Sequence, residues 1–173
     1  MEFFEVVKNR RSIRAFRSTP IEEDKLARIL EAANQAPSAG NLQAYQIIVV
    51  KKASARKILT KACGDQDFIS QAPVVLAFCA QPMRSAKQYG TRGKQLYCIQ
   101  DATIACAYAQ LAATAVGLAS VWVGAIFETD MVRNILQLGD DSVPVALLPL
   151  GYLAQAPEQT TRRVLQQLVR TVE

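Results

Sequence analysis

The hydrophobic positions of this chain fall into alternating helical and strand-like runs. Phe3, Phe4, Val6 and Val7 predict a short first helix that ends near Asn9. Leu26, Ile29, Leu30 and Ala33 recur at three- and four-residue spacing and predict a second helix. Thr19-Pro20 would open it, with Thr19 as N-cap and Glu22, Glu23 and Asp24 in the first turn. Gln46 to Val50 and Pro73 to Cys79 are apolar runs of strand length, separated by a helical pattern over Ala53 to Ala62. Gln81 to Gln95 is polar and carries most of the mid-chain charge, so it is expected to be a mobile surface loop. A long helix follows over about Leu96 to Val116, then a strand near Ser120–Gly124. Thr129 or Asp130 opens a further helix with Val132, Ile135 and Leu136 on one face, and a strand spans Val143 to Leu150. The tail after Arg162-Arg163 fits a helix or a short strand. The pattern is α/β or α+β with four or five strands, and its 173 residues make one domain, 1–173.

Ala102 to Phe127 is a run of 26 residues without a charge, which is long enough to span a bilayer. Nine alanines, several polar side chains and Gly117 in its middle favour a buried helix that stops at the glycine and feeds a core strand. No membrane segment and no signal peptide are expected. Cys63, Cys79, Cys98 and Cys106 show no C-x-x-C spacing and read as small buried thiols of a cytoplasmic protein.

There is no histidine, which removes every histidine-based general base, nucleophile pair and metal cage. Lys plus Arg number 20 against 15 acidic residues, a net charge of +5 that suits an anionic partner. The charges are spread and the aromatics lie in apolar runs, so a nucleic-acid surface is not expected. No G-x-G-x-x-G, P-loop or G-x-S-x-G is present.

Three segments are candidates for chemistry. RRSIR at 10–14 offers Arg10, Arg11 and Arg14 with Ser12, donors able to hold a phosphate, or else a solvated basic turn. PSAGNLQ at 37–43 combines small residues, which allow close backbone approach, with the amides of Asn41 and Gln43, or else is a plain connecting loop. WVGAI at 122–126 and LPLGYL at 148–153 put Gly124 and Gly151 into strand runs, where a ligand or another backbone comes close.

In this order, RRSIR, APSAGNLQ, QAP at 71–73, Asp101 at the start of the alanine-rich helix, GLASVWVGAI at 117–126 and LLPLGYLA with a later arginine resemble the nitroreductase family of FMN-dependent oxidoreductases. The resemblance covers nearly the whole chain. Where the family usually has Pro-Trp after the glutamine, this chain has Ala44-Tyr45. It is also short for the family, so any lid over the flavin is expected to be small.

The resemblance implies a three-layer α+β fold, with a mixed, mainly antiparallel sheet of four or five strands flanked by helices. It implies an intertwined homodimer with FMN at the subunit interface. Arg10, Arg11 and Ser12 would contact the phosphate and ribityl chain, and Arg14 the pyrimidine end of the flavin. Pro37, Ser38, Ala39 and Asn41 would come from the other subunit. Val123, Gly124 and Ala125 would lie beside N5, with Gln66 near the ring. Leu150 and Gly151 would line the phosphate side, and Arg162 or Arg163 would close on the phosphate. The implied activity is hydride transfer from NADH or NADPH to a small organic acceptor (a nitro-compound, quinone or enone) by a ping-pong cycle. Arg84–Lys94 would be an acceptor-site segment or a plain surface loop. A flavin sensor or flavin-processing protein of the same fold is the alternative.

Overall fold

The computed structural model describes residues 1–157 and 160–173. Four strands form one sheet: β1 (Tyr45–Val50), β2 (Val74–Ala80), β3 (Ala119–Ser120) and β4 (Val143–Gly151), in the order β1-β2-β4-β3. All three pairings are antiparallel. The expected parallel element reduces to an isolated bridge between Ser12 and Ser120.

Every residue of β2 is buried, which is why it reads as an unbroken apolar run. Successive side chains still go to opposite faces. Leu76 and Phe78 of β2, with Leu148 and Leu150 of β4, pack under α2 (Glu23–Asn34) and α6 (Cys98–Ala115). Val75, Ala77 and Leu147 face the other way, against α3 (Ala53–Ala62), α4 (Phe68–Gln71) and α7 (Thr129–Ile135). The result is three layers. Ala105, Ala109 and Ala113 of α6 are fully buried, and their small size lets the helix lie close on the sheet. Gly117, at φ +81°, ends α6, with Leu118 N–H donating back to Ala113 O at 2.8 Å. Pro144, which has no N–H, falls opposite the bulge between Phe78 and Cys79 of β2, where the ladder is already interrupted.

Beyond the strand expected near Ser120–Gly124, which shortens to Ala119–Ser120 with an isolated bridge at Val123, the structure departs from the sequence pattern at four places. Helix α2 begins at Glu23, so Thr19 is not its cap. Ile21 is drawn into the core instead, and Glu22 accepts hydrogen bonds from the Tyr152 hydroxyl at 2.6 and 2.8 Å. Residues 10–14 do not hang free as a loop. The chain from Ser12 to Arg17 is extended and clasped by Ser120 on one side and by Tyr152–Ala154 on the other. Third, 81–95 is not a loop. It forms α5 (Pro82–Arg92) and a π-helical turn over Gly93–Tyr97. Pro82 sits in the first turn of α5, and Met83 N–H donates to Asp141. The chain turns at Gly90 (φ +54°), and a Cβ on Gly93 would meet Ser85 O at 2.6 Å. The helix is mostly solvated and polar, with only Pro82 and Ser85 buried, so few apolar positions announce it. Finally, the tail is neither helix nor strand; it makes one 3-10 turn, Leu165–Gln167. Among the described residues no helix is long and apolar enough to cross a membrane.

Hydrogen bonds from Tyr152, then from the backbone at Glu22 itself, then from Lys25 hold the Glu22 carboxyl down from 4.5 to about 2. A depressed folded-state pKa stabilises the protein at pH above the unfolded value, and that contribution is lost as pH falls from 4.5 towards 2. Tyr152→Phe should therefore raise the Glu22 titration seen by NMR and move acid unfolding to a higher pH. An unchanged Glu22 titration would refute the assignment.

Candidate functional site

Alternation along the clasped segment creates the first part of the site. Ile13 and Phe16 are buried, and Ile13 N–H donates to Ser120 O at 3.0 Å. Ser12 and Arg14 are thereby turned outward. They line a cavity of about 550 Å³ with Arg10, Arg11 and, from the chain beyond β4, Gln155, Pro157, Thr160 and Arg162. No carboxylate lines it among the described residues. Burial, then Arg162, then Arg11 lower the Arg10 pKa. Like charges thus converge without a counter-ion among the described residues, and a bound anion would relieve their repulsion. The buried Ser120 hydroxyl, opposite Ser12, also has no hydrogen-bond partner.

The expected arginines separate in role. Arg11 lines the cavity, but its guanidinium folds back onto the carbonyls of Lys8 and Arg10. There it caps the end of α1 (Phe3–Asn9). Of the two late arginines, Arg162 reaches the cavity, whereas Arg163 donates to Gln167 O at 3.2 Å.

Beyond Ser120 the chain runs to Val123, which exchanges two 2.9 Å backbone hydrogen bonds with Leu147. Gly124 and Ala125 then emerge exposed, and their N–H groups have no partner among the described residues. Gly124 lies roughly 13 Å along the extended chain from the Ser12–Ser120 bridge. Gln66 belongs to the neighbouring turn: Phe127 and Glu128 N–H groups both donate to Ala62 O, and the Gln66 amide donates to Cys63 O.

Leu150 and Gly151 are placed differently from the expectation. Neither lines the cavity among the described residues. Leu150 is a core side chain, and a Cβ on Gly151 would meet Pro73 Cδ at 2.8 Å and Phe16 at 3.1 Å. Packing within the chain accounts for this glycine.

The 37–43 segment sits elsewhere. Pro37, Ser38 and Ala39 line a second cavity of about 450 Å³ with Tyr97 and Asp101, near the start of α6. Thr114, near the other end of α6, lines a small cavity shared with Arg11 and Ile13. About 20 Å of helix axis separates Asp101 from Thr114. One chain therefore does not bring residues 10–14 and 37–41 into one pocket.

Sequence reasoning noted Asp101 only as a helix-opening residue. The structure gives it a larger part. It is buried, and its two oxygens accept from Ala39 N–H at 2.9 Å and Ala44 N–H at 3.3 Å. Gln43 N–H donates to Ser38 Oγ at 3.0 Å, and Gly40, Asn41 and Gln43 take positive φ. The loop is thus held in an unusual shape by one carboxylate. Its signal was a lone charge bordering a 26-residue uncharged run, since a buried carboxylate needs donors.

The chain offers little acid–base or nucleophilic chemistry of its own. Burial pushes Cys63 up to about 11, Cys79 up to about 12 and Cys106 higher still, so all three are neutral thiols at neutral pH. The four cysteines are free and buried. No cluster able to hold a metal is present among the described residues.

A three-layer fold with a cationic cavity at one end of a central helix and a clamped small-residue loop at the other defines the class. A sequence model of the Nitroreductase family matches residues 7–66 and 56–152, and the chain belongs to that family. A Thermus thermophilus protein named NADH dehydrogenase is 31% identical, over 92% of this chain and 91% of that one. A Bacillus subtilis protein named FMN reductase [NAD(P)H] is also 31% identical, over 91% and 70%. Among solved structures, the NADPH:FMN oxidoreductase of Vibrio harveyi complexed with NAD+ superposes with a TM-score of 0.90 at 26% identity, over 99% and 77%.

Inorganic phosphate should raise the melting temperature of the wild-type chain by binding at Arg10 and Arg162. Differential scanning fluorimetry should find that increment lost in Arg162→Ala and kept in Arg163→Ala. The reverse order would exclude the assignment of Arg162.

Proposed function

We propose that the chain is an FMN-dependent oxidoreductase that takes hydride from NADH or NADPH and delivers it to a small organic acceptor, such as a nitro-compound, quinone or enone. The observation that carries this reading is the convergence of Arg10 and Arg162 on one cavity that no carboxylate lines among the described residues. Relatives named FMN reductase and NADPH-flavin oxidoreductase support it. The residues fit FMN in charge and in layout: a dianionic phosphate suits the arginines, and unpaired backbone donors lie further along the same chain.

FMN bound there would supply the hydride and electron transfer that the side chains themselves lack. Arg10 and Arg162 hold the phosphate through charged hydrogen bonds, and Ser12 adds a short hydroxyl donor. Arg14, on the wall of the same cavity, would offer a fixed cation that favours the reduced, more negative state of the bound flavin. The Gly124 and Ala125 N–H groups offer directional bonds to the ring edge, which orients it for donor and acceptor in turn. Without a histidine, the proton for the product comes from solvent.

A second copy of the chain completes this site. Pro37, Ser38, Ala39 and Asn41 are a helix length away from Arg10 within one chain, so they serve the cavity of a partner. Apolar surface supports the same reading. Phe4 is 83% exposed, and Leu165, Val169 and Val172 in the tail are 60–83% exposed, more than a lone chain comfortably leaves in water.

Purified protein should be yellow, oxidise NADH or NADPH with an acceptor, and sediment as a dimer. Colourless protein that gains no flavin from added FMN would overturn the proposal, and a stable FMN-loaded monomer would overturn the two-copy site. Bound FMN without turnover against any acceptor would favour a flavin sensor. Arg10→Ala should weaken FMN retention by about 1.5–3 kcal/mol, measured by fluorescence titration of released flavin.

A further inference from the structure

Resting on the flavin-oxidoreductase reading above, we propose that the α5 hairpin is a phosphate-recognition wall for the nicotinamide donor, and that it makes the enzyme select NADPH over NADH. From Gln81 to Gln100 the chain contains no acidic residue, while Arg84, Lys87, Arg92 and Lys94 are all exposed. None of the four is in an ion pair among the described residues. The carboxylates that reach this region are engaged with backbone: Asp141 accepts Met83 N–H, and Asp101 accepts Ala39 and Ala44 N–H. A run this basic with no acid of its own is poorly explained as a solvated helix face, where charges of both signs usually mix.

Its position ties it to the site. The Tyr89 hydroxyl packs over Gly40, and Arg84 Nε donates to Leu42 O at 2.6 Å, so the hairpin lies directly on the 37–43 loop. Tyr97 lines the 450 Å³ cavity beside Pro37, Ser38 and Ala39. Tyr89 and Tyr97 meet edge to face at 5.1 Å, and the Arg92 guanidinium lies 5.5 Å from the Tyr97 ring while its Nε donates to the Tyr97 hydroxyl at 3.0 Å. One edge of Arg92 is thus fixed at the cavity rim and its terminal nitrogens are left to a ligand. Lys87 and Lys94 flank it in the sequence and add charge.

NADPH differs from NADH only by the 2′-phosphate on adenosine, which carries nearly two negative charges at neutral pH. Exposed cations are partly screened, so the wall should give a preference of about tenfold rather than absolute selection. In yellow, FMN-loaded protein at low ionic strength, kcat/KM for NADPH should exceed that for NADH by about that factor, and the ratio should shrink as salt is added. K87Q/R92Q/K94Q should bring the ratio close to one and keep the flavin. By calorimetry, 2′,5′-ADP should bind the wild type more tightly than 5′-AMP, and the triple variant should lose this difference. Equal use of both nucleotides by the wild type would overturn the inference, as would a triple variant with an unchanged ratio and unchanged 2′,5′-ADP affinity. Colourless protein whose 2′,5′-ADP binding depends on these three residues would keep the wall and overturn only the flavin reading.

Discussion

Burial of β2 and β4 on both faces is the constraint from which the rest of the architecture follows. A strand with no solvated side needs a helical layer above and another below, and the alternation of Leu76 and Phe78 with Val75 and Ala77 assigns residues to each. Functional groups are thereby excluded from the middle of the sheet. They collect at its margins, where the Ser12–Arg17 segment is clasped beside β3 and where the 37–43 loop meets the start of α6.

Both margins hold arrangements that cost stability in the isolated chain. Arg10 and Arg162 are brought together although their charges repel. Gly40, Asn41 and Gln43 adopt left-handed backbone conformations, which are unfavourable for the two residues with side chains. In each case the surroundings over-determine the geometry. Ile13 and Phe16 anchor the first segment in the core, and Asp101 pins the second from beneath. Binding groups are thus supported by residues that need touch no ligand themselves.

Much of this was legible in the residues. The buried strands, α3 and the glycine stop of α6 follow from apolar period and turn chemistry alone, and the order of RRSIR, APSAGNLQ and GLASVWVGAI pointed to the family. The features that escaped are those set by tertiary contact. Helix α5 offers few apolar positions because only Pro82 and Ser85 are buried and Ser85 packs on Gly93 of the turn that follows. Thr19 has good capping chemistry, yet burial of Ile21 moves the helix start past it. Gly151 looked like a ligand-facing glycine, but Pro73 and Phe16 occupy the space. Arg162 and Arg163 are neighbours of the same type, and only the path of the chain after β4 distinguishes them.

Helix α6 holds the two half-sites apart by its own length, and this reaches beyond geometry. In the two-copy site proposed above, a pocket assembled from opposite ends of the same helix would bind its ligand fully only as the copies associate. Retention of the cofactor and association of the subunits then become one linked equilibrium, in which each strengthens the other by the same free energy. On that footing, dilution would strip the flavin, and flavin limitation would loosen the pair. The abundance of the protein in its setting thereby becomes part of its affinity.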